Sequence, residues 1–411
     1  MTAPARRRVC IVTQRYGPRV NGGAEVLMRQ LAHKLSARCD VTVATTRAED
    51  YLSWEDVYPA GQAWDGPVRV LRFSVDVPRD VERFLAQNDR FTAGALARDA
   101  AGQARWVWEQ GPVCLDLIGW LQAHRDDFDA FLLGPYLYFL TVYGLPAVAA
   151  KSILLPMAHD EGPIHMPIYG ELFRKARALC YLTPDEQALV RRLFPDVSRL
   201  DMVGGAGVEL PGAGAVRPGA FREKYGITGP YAVYVGRIEV GKCCDEMFRQ
   251  WAAYKAAGGP GTLVLMGKSI MPVPRDPSVR ALGFVSEEDK YSGIAGADFL
   301  WLPSRYESLS IVVLEALALA VPVLVNGGCP VLESHCRKSC AGLWYHSDGG
   351  CLAMLGRLFS DGALRRQLGD AGPAYVDRYY RWDGILARLE RLMDAVAAPP
   401  RGTEEEAQGH V

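Results

Sequence analysis

The chain reads as an α/β protein of two doubly wound parallel sheets that face each other across a cleft. Three observations carry this reading. Two series of apolar strands alternating with helical segments follow one another, and such alternation marks parallel sheets joined by crossover helices. A Gly- and Pro-rich stretch between them, residues 204–220 (GGAGVELPGAGAVRPGA), reads as a linker. The loops leaving several strands at their carboxyl ends carry Gly, Arg, Lys, His and Glu, where ligands bind in open α/β sheets.

The first series opens with VCIVT, residues 9–13, then the loop QRYGPRVNGGAE and the helical pattern VLMRQLAHKL. Strand, Gly-rich loop and helix is the layout that brings main-chain N–H groups to a phosphate, with a plain strand-to-helix turn as the alternative; Gly22 and Gly23 stand in this loop. The loop lacks the GxGxxG spacing of a dinucleotide oxidoreductase. Arg15 and Tyr16 share it and are candidates to face an acceptor. VTVATT (41–46) and VRVLRF (68–73) read as strands, with a polar, aromatic-containing loop between them at 50–66. Residues 80–124 are mostly helical, broken at Gly111-Pro112. Trp106, Trp108 and Trp120 there read as core, with stacking on an acceptor sugar as the alternative.

AFLLG (130–134) is the next strand. Residues 130–150 carry no charge, but their Gly and Pro residues fit strand, turn and helix better than a membrane span. The strand at 153–156 delivers His159 and Asp160 at its carboxyl end. ARALCYLT and RLDMVGG follow as strands around the helix DEQALVRRLF.

The second series runs through YAVYVGRIEVGK, a helix at 245–258, GTLVLMGK, VRALGFVS, DFLWLPS and PVLVNG. Arg237 follows the strand-end Gly236, and Lys242 stands five residues on in the same loop. Two fixed cations there suit a diphosphate. Gly267 and Lys268 end the next strand. PSRYESLSIVVLEALALAVP, residues 303–322, reads as a polar turn and then a buried helix from Leu309, apolar nearly all round. It holds two carboxylates. Eight helical residues turn through about 800°, which places Glu307 and Glu315 within roughly 80° of each other. Glu315 sits among Val312, Val313, Leu314, Ala316 and Leu317, and a buried carboxylate without a partner costs several kcal/mol. Free N–H groups at Ser308, Leu309 and Ser310 attract phosphate, and the carboxylates accept from hydroxyls. That combination suits a nucleotide sugar. Residues 361–397 are helical, and GTEEEAQGHV reads as a disordered polar tail.

Composition excludes other classes. The 411 residues are 49% hydrophobic and 23% charged, with a net charge of −1. No basic footprint for nucleic acid is present, while a local basic patch on an anionic membrane stays open. The ten cysteines are scattered, several of them in apolar runs (Cys10, Cys114, Cys180), and read as reduced core residues of a cytoplasmic protein. Cys329, Cys336 and Cys340, beside His335, match no zinc spacing. The N-terminus lacks the apolar core of a signal peptide. Asp127-Phe128-Asp129 fits a metal-binding Asp-x-Asp pattern but stands before its strand rather than after it. No metal or cofactor is expected.

ESLSIVVLE, set between DFLWLPS and Val-Pro-Val, resembles the Glu-x7-Glu motif of retaining glycosyltransferases of the GT-B fold, glycosyltransferase family 4 (group 1). The resemblance extends to Gly22-Gly23, His159, Gly236-Arg237 and Lys242, and so runs through both halves. It implies a GT-B chain. Residues 1–203 then form the acceptor-side Rossmann-like domain and 204–220 the linker. Residues 221–380 bind the nucleotide sugar, 381–398 are a helix crossing back to the first domain, and 399–411 are the tail. It implies transfer of a sugar from a UDP- or GDP-sugar to a glycan, lipid-linked or small-molecule acceptor, with retention and without metal. Gly22, Gly23, Gly236, Gly267 and Lys268 would then approach the diphosphate, and Arg237 and Lys242 clamp it. His159 and Glu307 would meet the sugar. The turn Phe284-Val285-Ser286 would meet the base, and Glu315 the ribose. Two departures stand out. Ser308, Leu309 and Ser310 replace the family's Gly-Phe-Gly, and Cys243 replaces the Gly after the lysine. The rival readings are a non-catalytic nucleotide-sugar-binding subunit, a GT-B epimerase or a phosphorylase.

Overall fold

The computed structural model describes residues 6–92, 99–198, 200–212 and 214–397. The tail read at 399–411 lies outside the described residues. In chain order the first half holds β1 (Arg8–Val12), α1 (Gly23–Ser36), β2 (Asp40–Thr46), β3 (Gly61–Asp65), β4 (Val68–Phe73), α2 (Val81–Thr92), α3 (Ala100–Gln110) and α4 (Leu115–Ala123). It continues with β5 (Ala130–Leu133), α5 (Phe139–Gly144), β6 (Ser152–Leu154), α6 (Pro167–Lys175), β7 (Ala178–Tyr181), α7 (Pro184–Leu193) and β8 (Asp201–Val203). The second half holds α8 (Pro218–Tyr225), β9 (Tyr231–Val235), α9 (Cys244–Ala256), β10 (Thr262–Met266), β11 (Val279–Ala281), α10 (Glu287–Ala295) and β12 (Phe299–Leu302). It ends with α11 (Ile311–Ala318), β13 (Val323–Asn326), α12 (Pro330–Ser339), β14 (Gly342–Tyr345), α13 (Asp348–Ser360), α14 (Gly362–Tyr379) and α15 (Trp382–Ala397).

Two sheets result. The first runs β3-β4-β2-β1-β5-β6-β7-β8 and the second β11-β10-β9-β12-β13-β14. Among the described residues the named strands pair in parallel, except β3 with β4. The central strands read as unbroken apolar runs because both of their faces are covered by helices; β1, β5, β9 and β12 are buried almost throughout. Strand order reverses between β1 and β5 in one sheet and between β9 and β12 in the other. The crevice at such a reversal is where open α/β sheets bind ligands.

Three details differ from the sequence reading. The loop expected at 50–66 contains the antiparallel edge strand β3. Residues 218–220, read as linker, already belong to α8, which Pro218 opens at a position helices favour. Helix α11 begins at Ile311 rather than Leu309, because Ser310 holds a left-handed backbone (φ 66°).

The last helix crosses back. α15 packs on α1 and on the first sheet at β5–β8, burying Ile385, Leu386, Leu389, Leu392, Met393 and Val396. Arg388 donates to the Gly204 carbonyl at 2.8 Å, and Arg38 pairs with Glu390 at 2.9 Å. α14 lies so close to α11 that a Cβ at Gly369 or Gly372 would overlap the carbonyls of Ala320 and Leu317. Among the described residues no helix is long and apolar enough to cross a membrane.

Candidate active site

The loop after β1 is stapled by one buried carboxylate. Glu25, in the first turn of α1, accepts from Gln14 Nε2 at 2.9 Å and pairs with Arg15. Gly22 caps this helix with φ 149°, and a side chain there would strike Glu25. Gly23 faces open space. Arg15 and Tyr16 do not face an acceptor. Arg15 is 4% exposed and also donates to the Glu49 carbonyl, and Tyr16 is wholly buried. Arg15 also donates to the Asn21 carbonyl of the same loop at 3.3 Å.

At the end of β6 the chain turns through Met157, which is left-handed (φ 54°), and presents His159. The turn is fixed by Glu186, itself buried, whose two carboxylate oxygens accept from Ala158 N and Leu182 N at 2.6 Å each. Burial pushes the Glu186 carboxyl up to about 8, against the pull of main-chain N–H groups from Leu182, Ala158, Thr183 and Met157. The His159 ring stacks on Tyr306 of the other domain, centroids 5.5 Å apart. Its buried Nδ1 has no hydrogen-bond partner, and Glu161 Oε1 stands 3.6 Å off.

Across the cleft, Gly236 and Gly267 end β9 and β10 in close apposition. A Cβ on Gly267, whose φ is 143°, would land on the Gly236 carbonyl. Arg237 pairs with Glu239 at 3.0 Å and lies over the Tyr51 ring of the first domain, 4.5 Å from its centroid. Lys242 ends a short 3-10 turn, and Cys243 takes a left-handed conformation (φ 56°) to open α9. Cys243 and Ser310 thus adopt the backbone that glycine tolerates at less cost, and such conformations cost about 1–3 kcal/mol each. Lys268 is exposed, while Val285 is half-buried behind an exposed Phe284.

Glu307 precedes α11 and is not on it, so the shared helix face expected for the two glutamates is not formed. Lys242 Nζ meets Glu307 Oε1 at 2.8 Å. Glu315 is buried inside α11 but is not without partners. Lys290 Nζ reaches it at 2.9 Å and Tyr291 OH at 2.8 Å, both from α10. Burial opposes the charge of Lys290, and Glu315 and Glu287 outweigh it, so its pKa lies above the ordinary lysine value. The first helical amides are those of Ile311, Val312 and Val313, two or three residues later than expected. Ser308 offers its carbonyl to Thr183 Oγ1 of the first domain at 3.2 Å, Leu309 is buried, and the Ser310 hydroxyl is buried without a partner.

The aspartates of the Asp-x-Asp pattern are tied to local groups: Asp127 to His124 at 2.6 Å, and Asp129 to the Arg8 amide at 2.7 Å. Cys329, Cys336 and Cys340 do not converge with His335, whose ring nitrogens meet Tyr375 and Leu309 instead. Among the described residues no group of three or more His, Cys, Asp or Glu is placed to hold a metal ion.

Sequence reasoning missed Tyr51, Tyr306, Glu186, Lys290 and Tyr291. Tyr306 adjoins Glu307, and Thr183-x-x-Glu186 has the spacing of a capping box, so both left a signal. Tyr51 and the Lys290–Tyr291 pair left none, since they meet the site only through the fold.

Two Rossmann-like sheets with facing strand-order reversals, closed by a terminal helix that returns to the first, define the GT-B fold. Solved structures agree on the fold. Sucrose-phosphate synthase from Thermosynechococcus elongatus superposes with a TM-score of 0.69 at 16% identity, covering 95% of this chain and 99% of its own. The Anabaena protein HepE, in complex with UDP and glucose, gives 0.67 at 13% identity, with 95% and 100% covered. In sequence, the model of the family described as "Glycosyl transferases group 1" matches residues 229–342. The alpha-D-kanosaminyltransferase of Streptomyces kanamyceticus is 31% identical over 62% of this chain and 71% of its own length. The D-inositol 3-phosphate glycosyltransferase of Segniliparus rotundus is 26% identical over 97% and 92%. The chain belongs to the group 1 glycosyltransferases.

Proposed function

We propose that the protein transfers a sugar from a nucleoside-diphosphate sugar to an acceptor hydroxyl, with retention of anomeric configuration and without a metal ion. The observation that carries this reading is the grouping of Arg237, Lys242 and Glu307 at the β9/β12 strand-order reversal. Breaking a sugar–phosphate bond places negative charge on the departing diphosphate. Arg237 and Lys242 are fixed cations that stabilise that charge, with Gly236 and Gly267 keeping the strand ends clear of side chains. Glu307, already holding Lys242, couples the phosphate side of the site to the sugar side. His159 approaches from the first domain, and its stack on Tyr306 gives the sugar a wall built from both domains. Glu315, anchored by Lys290 and Tyr291, is the candidate for the ribose hydroxyls. HepE, a fold neighbour, is solved with UDP and with UDP-glucose, which supports a nucleotide-sugar donor.

The placement of the cations supports retention. They hold the departing phosphate on one face of the sugar, and an acceptor hydroxyl on that face can pass its proton to that phosphate. The test has two arms. A thermal-shift screen against UDP, GDP, ADP and dTDP identifies the base, since a ligand raises stability with ln(1 + [L]/Kd). NMR of the product's anomeric coupling, with and without EDTA, then reads the stereochemistry and the metal dependence. A β-linked product from an α-linked donor, or transfer abolished by EDTA and restored by magnesium or manganese, would overturn the proposal.

A further inference from the structure

The loop carrying Glu307 is anchored from behind by a buried histidine that the proposed chemistry does not use. His335, on α12, is 2% exposed. Its Nε2 lies 2.8 Å from the Leu309 carbonyl, and its Nδ1 lies 2.9 Å from the Tyr375 hydroxyl on α14. Tyr375 OH stands 3.3 Å from Tyr380 OH. A carbonyl only accepts, so Nε2 must carry the proton. In a neutral ring Nδ1 then only accepts, so the Tyr375 hydroxyl donates to it. The Tyr375 oxygen is left to accept from Tyr380. The direction of the whole chain is thereby fixed: Tyr380 to Tyr375 to His335 to Leu309.

Each end of this chain has a meaning in the fold. Leu309 lies two residues after Glu307, and its neighbour Ser308 offers its own carbonyl to Thr183 of the first domain. Tyr380 caps α14 at the point where the chain leaves the second domain for the first. Its carbonyl accepts from Val208 N of the linker at 2.9 Å, and its ring lies against Gly205. Both covalent crossings between the domains therefore meet at Tyr380. The groups facing His335 are Tyr375 and, behind it, Tyr380 from α14, the Leu309 carbonyl, Asp185 of α7 and Lys338 of its own helix. Asp185 and Lys338 pair with each other at 3.5 Å and so oppose one another at the ring. Burial pushes the imidazole down to about 4, which keeps it neutral and the direction of the chain intact at neutral pH. A protonated ring would donate from both nitrogens and reverse the two tyrosines.

We propose that His335 is a positioning residue. Through Tyr375 and Tyr380 it sets the geometry of the Glu307 loop according to how the chain is seated where it crosses between the domains. The inference deepens the transferase reading, on which the role of Glu307 rests, and two of its tests need no turnover.

Long-range 1H–15N spectra of 15N-histidine-labelled protein at pH 7 report the tautomer of His335, assigned by its loss in His335→Gln. The Nε2–H form is expected; an Nδ1–H form or an imidazolium overturns the proposal. Hydrogen exchange is then compared across peptides covering residues 305–311. Losing a buried bond to the loop should speed exchange there about tenfold in His335→Gln, and severalfold in Tyr375→Phe, which keeps the ring and its packing. Should His335→Gln fail to fold, Tyr375→Phe decides. Unchanged exchange in that variant overturns the proposal.

The functional arm uses whichever of the UDP-, GDP-, ADP- or dTDP-sugars the wild type turns over. Turnover should fall severalfold in Tyr375→Phe, while affinity for the free nucleoside diphosphate stays within twofold. Equal loss of both would mean a general structural role and would also overturn it. If the wild type turns over none of these donors, the transferase reading fails, and the tautomer and exchange results still decide the relay.

Discussion

Replacing Glu307 by Gln should move two observables in opposite directions. In the free protein Lys242 Nζ lies 2.8 Å from Glu307 Oε1. At that distance and an effective dielectric near 20, two unit charges attract by about 6 kcal/mol before desolvation. The side chains are 28% and 14% exposed, so water screens the pair. A fully exposed pair is worth about 0.2–1 kcal/mol, and breaking a fully buried one costs about 3–5. An intermediate coupling of about 1–2 kcal/mol is the working value. A nucleoside diphosphate that recruits Lys242 must share it with Glu307 and must also approach that carboxylate. Glu307→Gln removes both costs, so the free nucleoside diphosphate should bind about 5- to 30-fold tighter. Transfer should fall by roughly two to three powers of ten, because a charge set for the transition state is gone. Isothermal titration calorimetry at low salt and at high salt measures the first effect, and the gain should shrink at high salt. Unchanged or weaker binding would refute the shared-lysine reasoning, leaving Lys242 and Glu307 to act independently.

Three further outcomes follow. Glu186 has a folded pKa of about 8 against an ordinary 4.5, so the folded state holds the extra proton between those values and stability falls as pH rises through them. The slope is up to about 1.4 kcal/mol per pH unit. Denaturation of Glu186→Gln should therefore gain on the wild type from pH 5.5 to pH 7.5, and a difference independent of pH would contradict this. Gly267→Ala drives a methyl group onto the Gly236 carbonyl at a positive φ, so it should cost about 3 kcal/mol or more in chemical denaturation; a near-neutral effect would show that the strand ends can part. Glu315→Gln should weaken binding of the free nucleoside diphosphate by about 1.5–3 kcal/mol, the worth of a charged acceptor to hydroxyls. Affinity unchanged in calorimetry would leave Glu315 as a partner of Lys290 and Tyr291 alone.

The parallel core was legible because strands buried on both faces write themselves as apolar runs: VCIV, AFLL, YAVYV, TLVLM and FLWL fall in β1, β5, β9, β10 and β12. β3 was not legible, because GQAWD is an exposed edge without alternation and with Gly and Asp at its ends. The four-residue β14, GLWY, was passed over because it is short and opens on Gly342. At the candidate site, residues whose placement is local stand where the sequence put them. Gly236 and Arg237 follow the end of β9, and Lys242 and Glu307 stand in the loops that leave β9 and β12. Residues whose meaning depends on a distant partner were misread. The buried surroundings of Glu315 were right, but its partners stand 24 and 25 residues earlier, on another helix. Arg15 looked available because nothing in the loop sequence says that Glu25 folds back over it.

The return of α15 to the first sheet also decides what a cut in the chain would do. A protease cleaving after Leu210 would sever one of the two crossings and yield pieces of unequal make-up. The second would carry the whole second sheet and, at its far end, a helix that belongs to the core of the first. Six apolar side chains of that helix are buried there, about 9–18 kcal/mol of gross burial, against an association cost of about 4–15 kcal/mol. The nicked molecule should travel as a two-chain complex rather than as separate halves. Covalent continuity and structural unity are thus distinct in this protein, and its two lobes are held like parts that share a bolt.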